Sequence, residues 1–430
     1  MKYLAVAFTL AVFSGAANAQ NALTLDQAIT TAIQNHPLMR AADLDTQAAQ
    51  AGVDISRANY FPQLNGDAAR VFADPGTRIA ATNGLNDPTI LDRGSFGVSL
   101  SQLITDFGRT SALVSASTSE LNEQRANQDL TESFLTLAVT QAFFDVLRAE
   151  ALVRVAHTTQ QARQTLLDRV TGLFDAKLRS NLDLSIARQG LAEADLLMLR
   201  ANTKVDDAYA ALARALGMGD TSRPMLSEPA DVPPPPTARD ALLSVALDHN
   251  PALRALDAGV RAAQQRADAE ERAQYPTISA MGAAGVTPER DPTSGLKPHY
   301  AAGGVVLDVP LFTGGRLSAR ERQASLKADA LKQRYLDQRN VVTRDVNIAF
   351  GEAQTAFRNI DVTEQVRRNA GTTLDLTQNL YEIGKGSIVD LNQAQVAATQ
   401  AEIAHTDAIF DYRLQRALLD YLTGVVRGAS

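Results

Sequence analysis

The chain has 430 residues with 41 basic against 48 acidic side chains, a formal charge of −7, and it contains neither cysteine nor tryptophan. The missing cysteine excludes disulfides, thiolate metal sites, a cysteine nucleophile and an acylated N-terminal cysteine, and the acidic balance offers no clustered positive face for nucleic acid. The 45% hydrophobic fraction, with only 5% aromatics, favours long, closely packed helices over a bulky globular core.

Residues 1–19 read as a signal peptide: Lys2 gives the positive start, Leu4 to Phe13 the apolar run, and Ala17-Asn18-Ala19 the small-x-small cleavage site. About ten apolar residues cannot span roughly 30 Å of hydrocarbon, so this is a leader and not an anchor. Beyond it no stretch has the roughly 18 or more uncharged apolar residues of a spanning helix. If the chain lives in a membrane, it does so as strands.

Helix is expected over 24–34 and 38–59, interrupted at Pro37, with Asp26 suited to a first turn and many alanines to close packing. At Pro62 the helical pattern stops and a strand of weak alternation begins, followed near 73–93 by a loop rich in Gly, Pro, Asn and Asp. Phe96, Val98, Leu100, Gln102 and Ile104 then alternate with Gly97, Ser99, Ser101 and Leu103, a two-residue period that sets an apolar face against a mostly small or polar one. Helix resumes near Thr110 and runs about 60 residues to Leu173, roughly 90 Å, far beyond the dozen or so residues of an ordinary globular helix. Such a rod needs neighbours along its whole length. In the next helix Leu184, Ala187, Leu191, Ala194, Met198 and Ala201, continued by Val205, Ala208, Leu212 and Ala215, alternate large and small at coiled-coil steps, so a neighbour can approach closely and interlock.

Residues 224–236 end in four consecutive prolines, which cannot donate backbone hydrogen bonds and favour an extended left-handed course; they read as a semi-rigid connector. After it the pattern returns. Asp26, Pro37, Arg40 and Pro62 recur 214 residues on as Asp240, Pro251, Arg254 and Pro276, and Gly97, Gly108, Arg109, Val139, Asp183 and Gly217 recur 207 residues on as Gly304, Gly315, Arg316, Val346, Asp390 and Gly424. A seven-residue deletion between Pro62 and Gly97 separates the copies, so one unit is used twice, as a first repeat over 20–223 and a second over 237–430. In the second, Val305, Leu307, Val309 and Leu311 carry the apolar strand face with Val306, Asp308 and Pro310 opposite, and a loop near 288–298 faces outward like its counterpart. Its rod runs from Leu317 to Leu380 on a seam of Val342, Val346, Ala349, Ala353, Ala356 and Ile360. His405 and Tyr412 fall on the stripe of the last helix, where a packed or capped histidine is the plain reading.

Two strands per repeat make four per chain, which cannot close a barrel: about eight are needed to fill even a small one, and an open edge cannot face lipid. Closure has to come from other copies. Three chains of four strands would make a trimeric twelve-stranded β-barrel, continued by the long helices as an α-helical barrel, with Val98 and Leu100 toward lipid and Ser99 and Ser101 toward the lumen.

Past the leader, the chain resembles the TolC-like outer-membrane efflux protein family over essentially its whole length. The resemblance is carried by Leu23-Thr24-Leu25-Asp26-Gln27-Ala28-Ile29 with His36-Pro37-Leu38, and by the strand-to-helix segments Leu100-Ser101-Gln102 through Asp106-Phe107-Gly108-Arg109 and Val309-Pro310-Leu311-Phe312 through Gly314-Gly315-Arg316. Tyr381-Glu382-Ile383-Gly384-Lys385-Gly386-Ser387 running into Asp390-Leu391 completes it. No single motif here is specific; their order, duplication and spacing are. The resemblance implies a homotrimer with a β-barrel in outer-membrane lipid and a long periplasmic α-barrel. It further implies docking to a periplasmic adaptor (membrane fusion) protein and an inner-membrane RND or ABC transporter, so that small molecules or polypeptides leave in one step and the channel performs no chemistry. It brings no cofactor and no metal.

The resemblance also implies an iris-like closure at the periplasmic tip, with acidic residues just after the turn between the last two helices at its constriction. Asp390 matches that position and Asp183 is its repeat equivalent; three symmetry-related carboxylates at a narrow mouth repel one another and attract cations. Without the resemblance either aspartate reads as a helix cap or dipole partner. The chain departs from the family pattern twice. The second carboxylate of a double acidic ring is replaced by Gln393, and of a latch made by an aspartate, a tyrosine and an arginine only Asp183 and Tyr381 match, the arginine position being Gly386. Lys385 beside it would have to substitute, without the forked contact of arginine. The hairpin tips, Lys177, Leu178, Arg179 and Ser180 with Gly384, Gly386 and Ser387, are the expected adaptor contacts.

An enzyme finds little support. His36, His157, His249, His299 and His405 are scattered, and neither a Gly-x-Ser-x-Gly elbow nor a phosphate loop is present. The remaining rival is a periplasmic coiled-coil adaptor or scaffold without a channel, which would not need four alternating strands.

Overall fold

The computed structural model describes residues 22–71, 93–219, 223–229, 232–286 and 299–424. The leader expected over 1–19 lies outside them, as do the loops expected near 73–93 and 288–298 except for Arg93, the first residue of a strand. The chain runs α1 (Leu25–Asn35), α2 (Pro37–Ala58), β1 (Gln63–Val71), β2 (Arg93–Thr105), α3 (Arg109–Asp175) and α4 (Asn181–Ala215), then repeats the same order. The second series is α5 (Arg239–His249), α6 (Pro251–Arg272), β3 (Thr277–Val286), β4 (His299–Asp308), α7 (Arg316–Glu382) and α8 (Ile388–Thr423). Both rods, α3 and α7, have 67 residues, about 100 Å at 1.5 Å per residue.

Local chemistry sets the element ends. Thr24 and Gln27 close a capping box on α1. Pro37 opens α2 rather than merely breaking a helix, because its missing N–H falls in the first turn, and His36 Nδ1 accepts from Leu38 N at 3.1 Å. Asp106, two residues before the N-cap Gly108, ties down the start of α3, accepting from Thr110 N at 2.7 Å and from its hydroxyl at 2.6 Å. Ends also pack on corners. Gly217 after α4 has φ +72 and stands so close to the α1–α2 corner that a Cβ would lie 2.8 Å from His36 Cα. Its repeat counterpart Gly424 has φ +69 and meets His249 O of the α5–α6 corner at the same 2.8 Å.

The four strands form one antiparallel sheet in the order β1-β2-β3-β4. Two details differ from the alternation. β4 ends at Asp308, so Val309 and Leu311 lie past the ladder, where Pro310 has no N–H to give it. The β2–β3 register also shifts between Leu103 and Thr105, leaving Ile104 as an extra residue in the strand.

The largest core cluster joins α1, α3, α4 and α8 around the fully buried Phe143, Val139, Val146 and Leu212, each contributing about 1.5–3 kcal/mol by burial. Smaller clusters lie at the far end of the rods, around Val170, Leu184 and Leu391, and where α5 meets α7 at Val342 and Val346. The α7 seam is buried through Ala353 and half-buried at Ala356 and Ile360. By length and composition α3 is apolar enough to cross a membrane, but half of its most apolar stretch is buried within the chain. The connector is pinned across these helices: Leu23 N bonds Met225 O at 2.7 Å, and the Tyr412 hydroxyl donates to Pro233 O at 2.7 Å.

Candidate functional site

Among the described residues, every layer of the chain ends in unpartnered margins. In the sheet these are β1 and β4. In the half of the rods nearest the sheet the packing order is α2, α3, α6, α7; in the far half it is α4, α3, α8, α7. One margin therefore consists of β1, α2 and α4, and the other of β4 and α7. Both carry apolar side chains in the open: Leu44, Ile55, Leu196 and Leu199 on the first, Leu326, Val362, Val366 and Leu376 on the second.

The sheet has two chemically distinct faces. Rows across the strands place Leu64, Leu100, Val98, Phe96 and Val286 on one face, and Gln63, Asn65 and Asp67 with Ser99 and Ser101 on the other. On the polar face Tyr300 lies in one row with Gly285, Gly97 and Asp67, and its phenol covers both glycines: a Cβ at Gly97 would lie 2.5 Å from the hydroxyl. Each of the four helix–strand junctions carries an exposed aromatic, Tyr60 and Phe61, Phe107, Tyr275 and Phe312. Phe107 and Tyr275 stand with ring centroids 6.2 Å apart. An aromatic collar below an apolar strand band marks the edge of a bilayer. The sequence held its signal, an aromatic within three residues of the Pro or Gly-Arg at each junction.

At the opposite end the two hairpins, α3–α4 and α7–α8, turn alike. Lys177 at φ 64 and its counterpart Gly384 at φ 74 end their helices in the left-handed region, and Leu178 N and Lys385 N each return to a carbonyl five residues back at 2.8 Å. Ser180 and Asp183 form a capping box, so the Asp183 carboxylate is engaged by Ser180 N at 2.9 Å and Ser180 Oγ at 2.7 Å. Asp390 occupies the matching position in α8, exposed, with no ion pair or side-chain hydrogen bond among the described residues.

Tyr381 is 1% exposed, and its hydroxyl has no partner among the described residues. No hydrogen bond to Asp183 forms. Instead the Arg179 guanidinium lies 4.1 Å above the Tyr381 ring and donates to Tyr381 O at 2.9 Å. Burial pushes the Tyr381 phenol up, with Arg179 opposing and Asp183 adding to the shift. Arg179 is the repeat counterpart of Gly386, where the resemblance expects the latch arginine. At 386 a Cβ would fall 2.8 Å from Tyr381 N, so the turn has no room for a side chain there. Lys385 is exposed. Two further arginines of α3 grip the second hairpin: Arg169 pairs with Glu382, and Arg163 donates to Gln395 and, at 2.6 Å, to Asn392 Oδ1. Arg163 is 6% exposed, and desolvation lowers its pKa. From the sequence, Arg179 falls only among the expected adaptor contacts and neither Arg163 nor Arg169 is singled out, although the offset of the repeats points from Gly386 to Arg179. The tip residues Lys177, Leu178 and Ser180 with Gly384 and Ser387 are exposed, while Arg179 and Gly386 are half-buried. Farther along, His405 sits in the α7–α8 seam, 3.2 Å from Thr363 Oγ1 and 3.4 Å from Glu364 Oε2.

Residues 28–218 and 242–425 match the family described as outer membrane efflux protein. The chain is 23% identical over 432 residues to outer membrane protein TolC of Escherichia coli (strain K12), covering 96% of this chain and 83% of the other. To outer membrane protein TolC of Vibrio cholerae serotype O1 it is 25% identical over 438 residues, covering 96% and 93%. Its fold is that of the crystal structure of VceC, an outer membrane protein of Vibrio cholerae, with a TM-score of 0.79 at 20% identity, covering 93% of this chain and 96% of that one.

Proposed function

The chain belongs to the outer membrane efflux protein family, and from that membership we propose that three copies close into an exit duct, a twelve-stranded barrel through the membrane continued by a tube of long helices into the periplasm. It is an efflux channel of the outer membrane and not an enzyme. The observation that carries the closed duct is the pair of open margins running the full length of the chain. In hydrocarbon each unpaired backbone group costs several kcal/mol, so β1 of one copy must pair with β4 of the next. The count of three is carried over from the family. In this reading 20–223 and 237–430 are the repeats, 224–236 joins them, and 1–19 is the removed leader.

The duct is gated at the helical tip. Asp390 supports this reading, because no ion pair neutralises it among the described residues and threefold symmetry would crowd three bare carboxylates at one mouth. Asp183, held in its own helix cap, contributes less to that ring, and Arg179, Arg169 and Arg163 take the holding role that Lys385 was expected to fill. The exposed turns, 177–180 and 384–387, serve as adaptor contacts, and an inner-membrane transporter of the RND or ABC type supplies the energy and selects the cargo, small molecule or polypeptide. Single-channel recording in planar bilayers tests the gate. Asp390→Asn is expected to raise conductance and weaken block by divalent cations; unchanged conductance and block would remove Asp390 from it.

A further inference from the structure

The two strand hairpins are built on one register. Gln63 faces Ser101 in the first and Thr277 faces Asp308 in the second, and these positions are counterparts under the repeat offsets of 214 and 207. The hairpins are therefore equivalent units, and the chain already holds one junction between them, β2 on β3, where Leu100 faces Gly282 and Ser101 faces Met281. Beneath it α3 lies on α6, and Ser119 donates to Gln265 Oε1 at 2.8 Å.

The open margins are the two halves of a second such junction. Leu326 of α7 is the counterpart of Ser119 but is 61% exposed where the serine is 8%. Leu44 and Ile55 of α2 are exposed as well, whereas their counterparts in α6, Ala258 and Ala269, are buried. Of the two rods, α6 packs on both α3 and α7, and α2, among the described residues, on α3. The strands agree. β2 continues past Ser101 to Thr105 on β3 alone, while β4 ends at Asp308, the counterpart of Ser101. Head-to-tail contacts close a ring when each joint turns alike, and a barrel of one tilt needs one stagger throughout. A slip of one residue would turn the apolar face of a strand into the lumen. Resting on the closure of copies proposed above, we propose that β4 of one copy pairs antiparallel with β1 of the next in the register of β2 on β3, so that Leu307 stands opposite Ala68 on the apolar face and Asp308 opposite Asp67 on the polar face. Like charges directly opposite one another across two strands repel, so the carboxylate pair is a mark of this register.

Disulfide trapping in outer membranes tests it, on a chain with no native cysteine. Ala68→Cys is combined in one chain with Leu307→Cys, or with Val305→Cys or Val309→Cys as slips of two residues, and Asp67→Cys is combined with Asp308→Cys. The two in-register pairs are neighbours along the ladder, so one of them is the closer, non-hydrogen-bonded kind. Within one chain β1 and β4 stand three strand spacings apart, about 14 Å, too far for a disulfide. Oxidation is expected to give covalent dimers and trimers from an in-register pair and none from the slipped pairs. Oligomers from a slipped pair instead would overturn the register and leave the closed duct standing. Oligomers from none of the four would overturn the register if cysteines at Leu199 and Val366 on the helical margins still cross-link, and the duct with it if they do not. Should the cysteines hinder assembly, charge removal decides. Asp67→Asn and Asp308→Asn should each raise the temperature at which the trimer dissociates in detergent, with the double variant little above either single one; unchanged or lowered temperatures, or fully additive gains, overturn the pairing.

Discussion

Arg179 joins residues that lie far apart in the chain, because its guanidinium both stacks on Tyr381 and bonds its carbonyl. A planar guanidinium stacked on a ring while donating to its backbone carbonyl is something lysine cannot reproduce. Arg179→Ala is therefore expected to raise single-channel conductance, Arg179→Lys to resemble it more than the parent, and Gly386→Arg to give no rescue, since its Cβ would press on Tyr381 N at 2.8 Å. Full retention of the closed state in Arg179→Ala would show the clasp to be elsewhere. Glu382 adds a pH dependence. Hydrogen bonding from Arg169, then from Gln378, holds its carboxyl below the usual 4.5. Its folded pKa is depressed, so its hold on the tip is fully present above 4.5 and is lost as pH falls through the lower folded value. Conductance should rise on acidification below that point, and in Glu382→Gln it should start high with that rise absent.

At the scale of elements, helix ends meet corners at positions where only glycine fits. Gly217 combines a positive φ with backbone contact to His36, whereas Gly219 has open space around it. Gly217→Ala is expected to destabilise by about 1–3 kcal/mol from backbone strain alone, read as a lowered thermal midpoint, with Gly219→Ala near the parent; equal midpoints would refute the packed corner. Element types were legible in the sequence because helix and strand periods are written within a few residues, as in Leu184 to Ala215 or Phe96 to Leu103. Ends were less legible. The extra Ile104 and the early close of β4 depend on which carbonyl the partner strand presents, which local alternation does not encode.

For the whole molecule the margins decide the outcome. Leu199 of α4 and Val366 of α7 stand exposed on opposite edges, each roughly 25 Å from its hairpin tip at 1.5 Å per residue. With no native cysteine to interfere, cysteines at both positions should oxidise into covalent oligomers of up to three chains in membranes. Disulfides formed only within single chains would contradict side-by-side closure.

The sequence by itself determined the duplicated order of elements, the two faces of the strands and the need for sister copies, because these follow from periodicity, repeat offset and the intolerance of lipid for open edges. The tertiary structure alone decided that α3 is the central rod touching α4, α6 and α8 while α7 is left at the rim. It also decided that Arg179 reaches a tyrosine 202 positions away and that the connector folds back onto Tyr412 and Arg413. Such pairings arise from the interlocking of side chains on separate rods, and the choice of partner leaves no mark on the local pattern of either one.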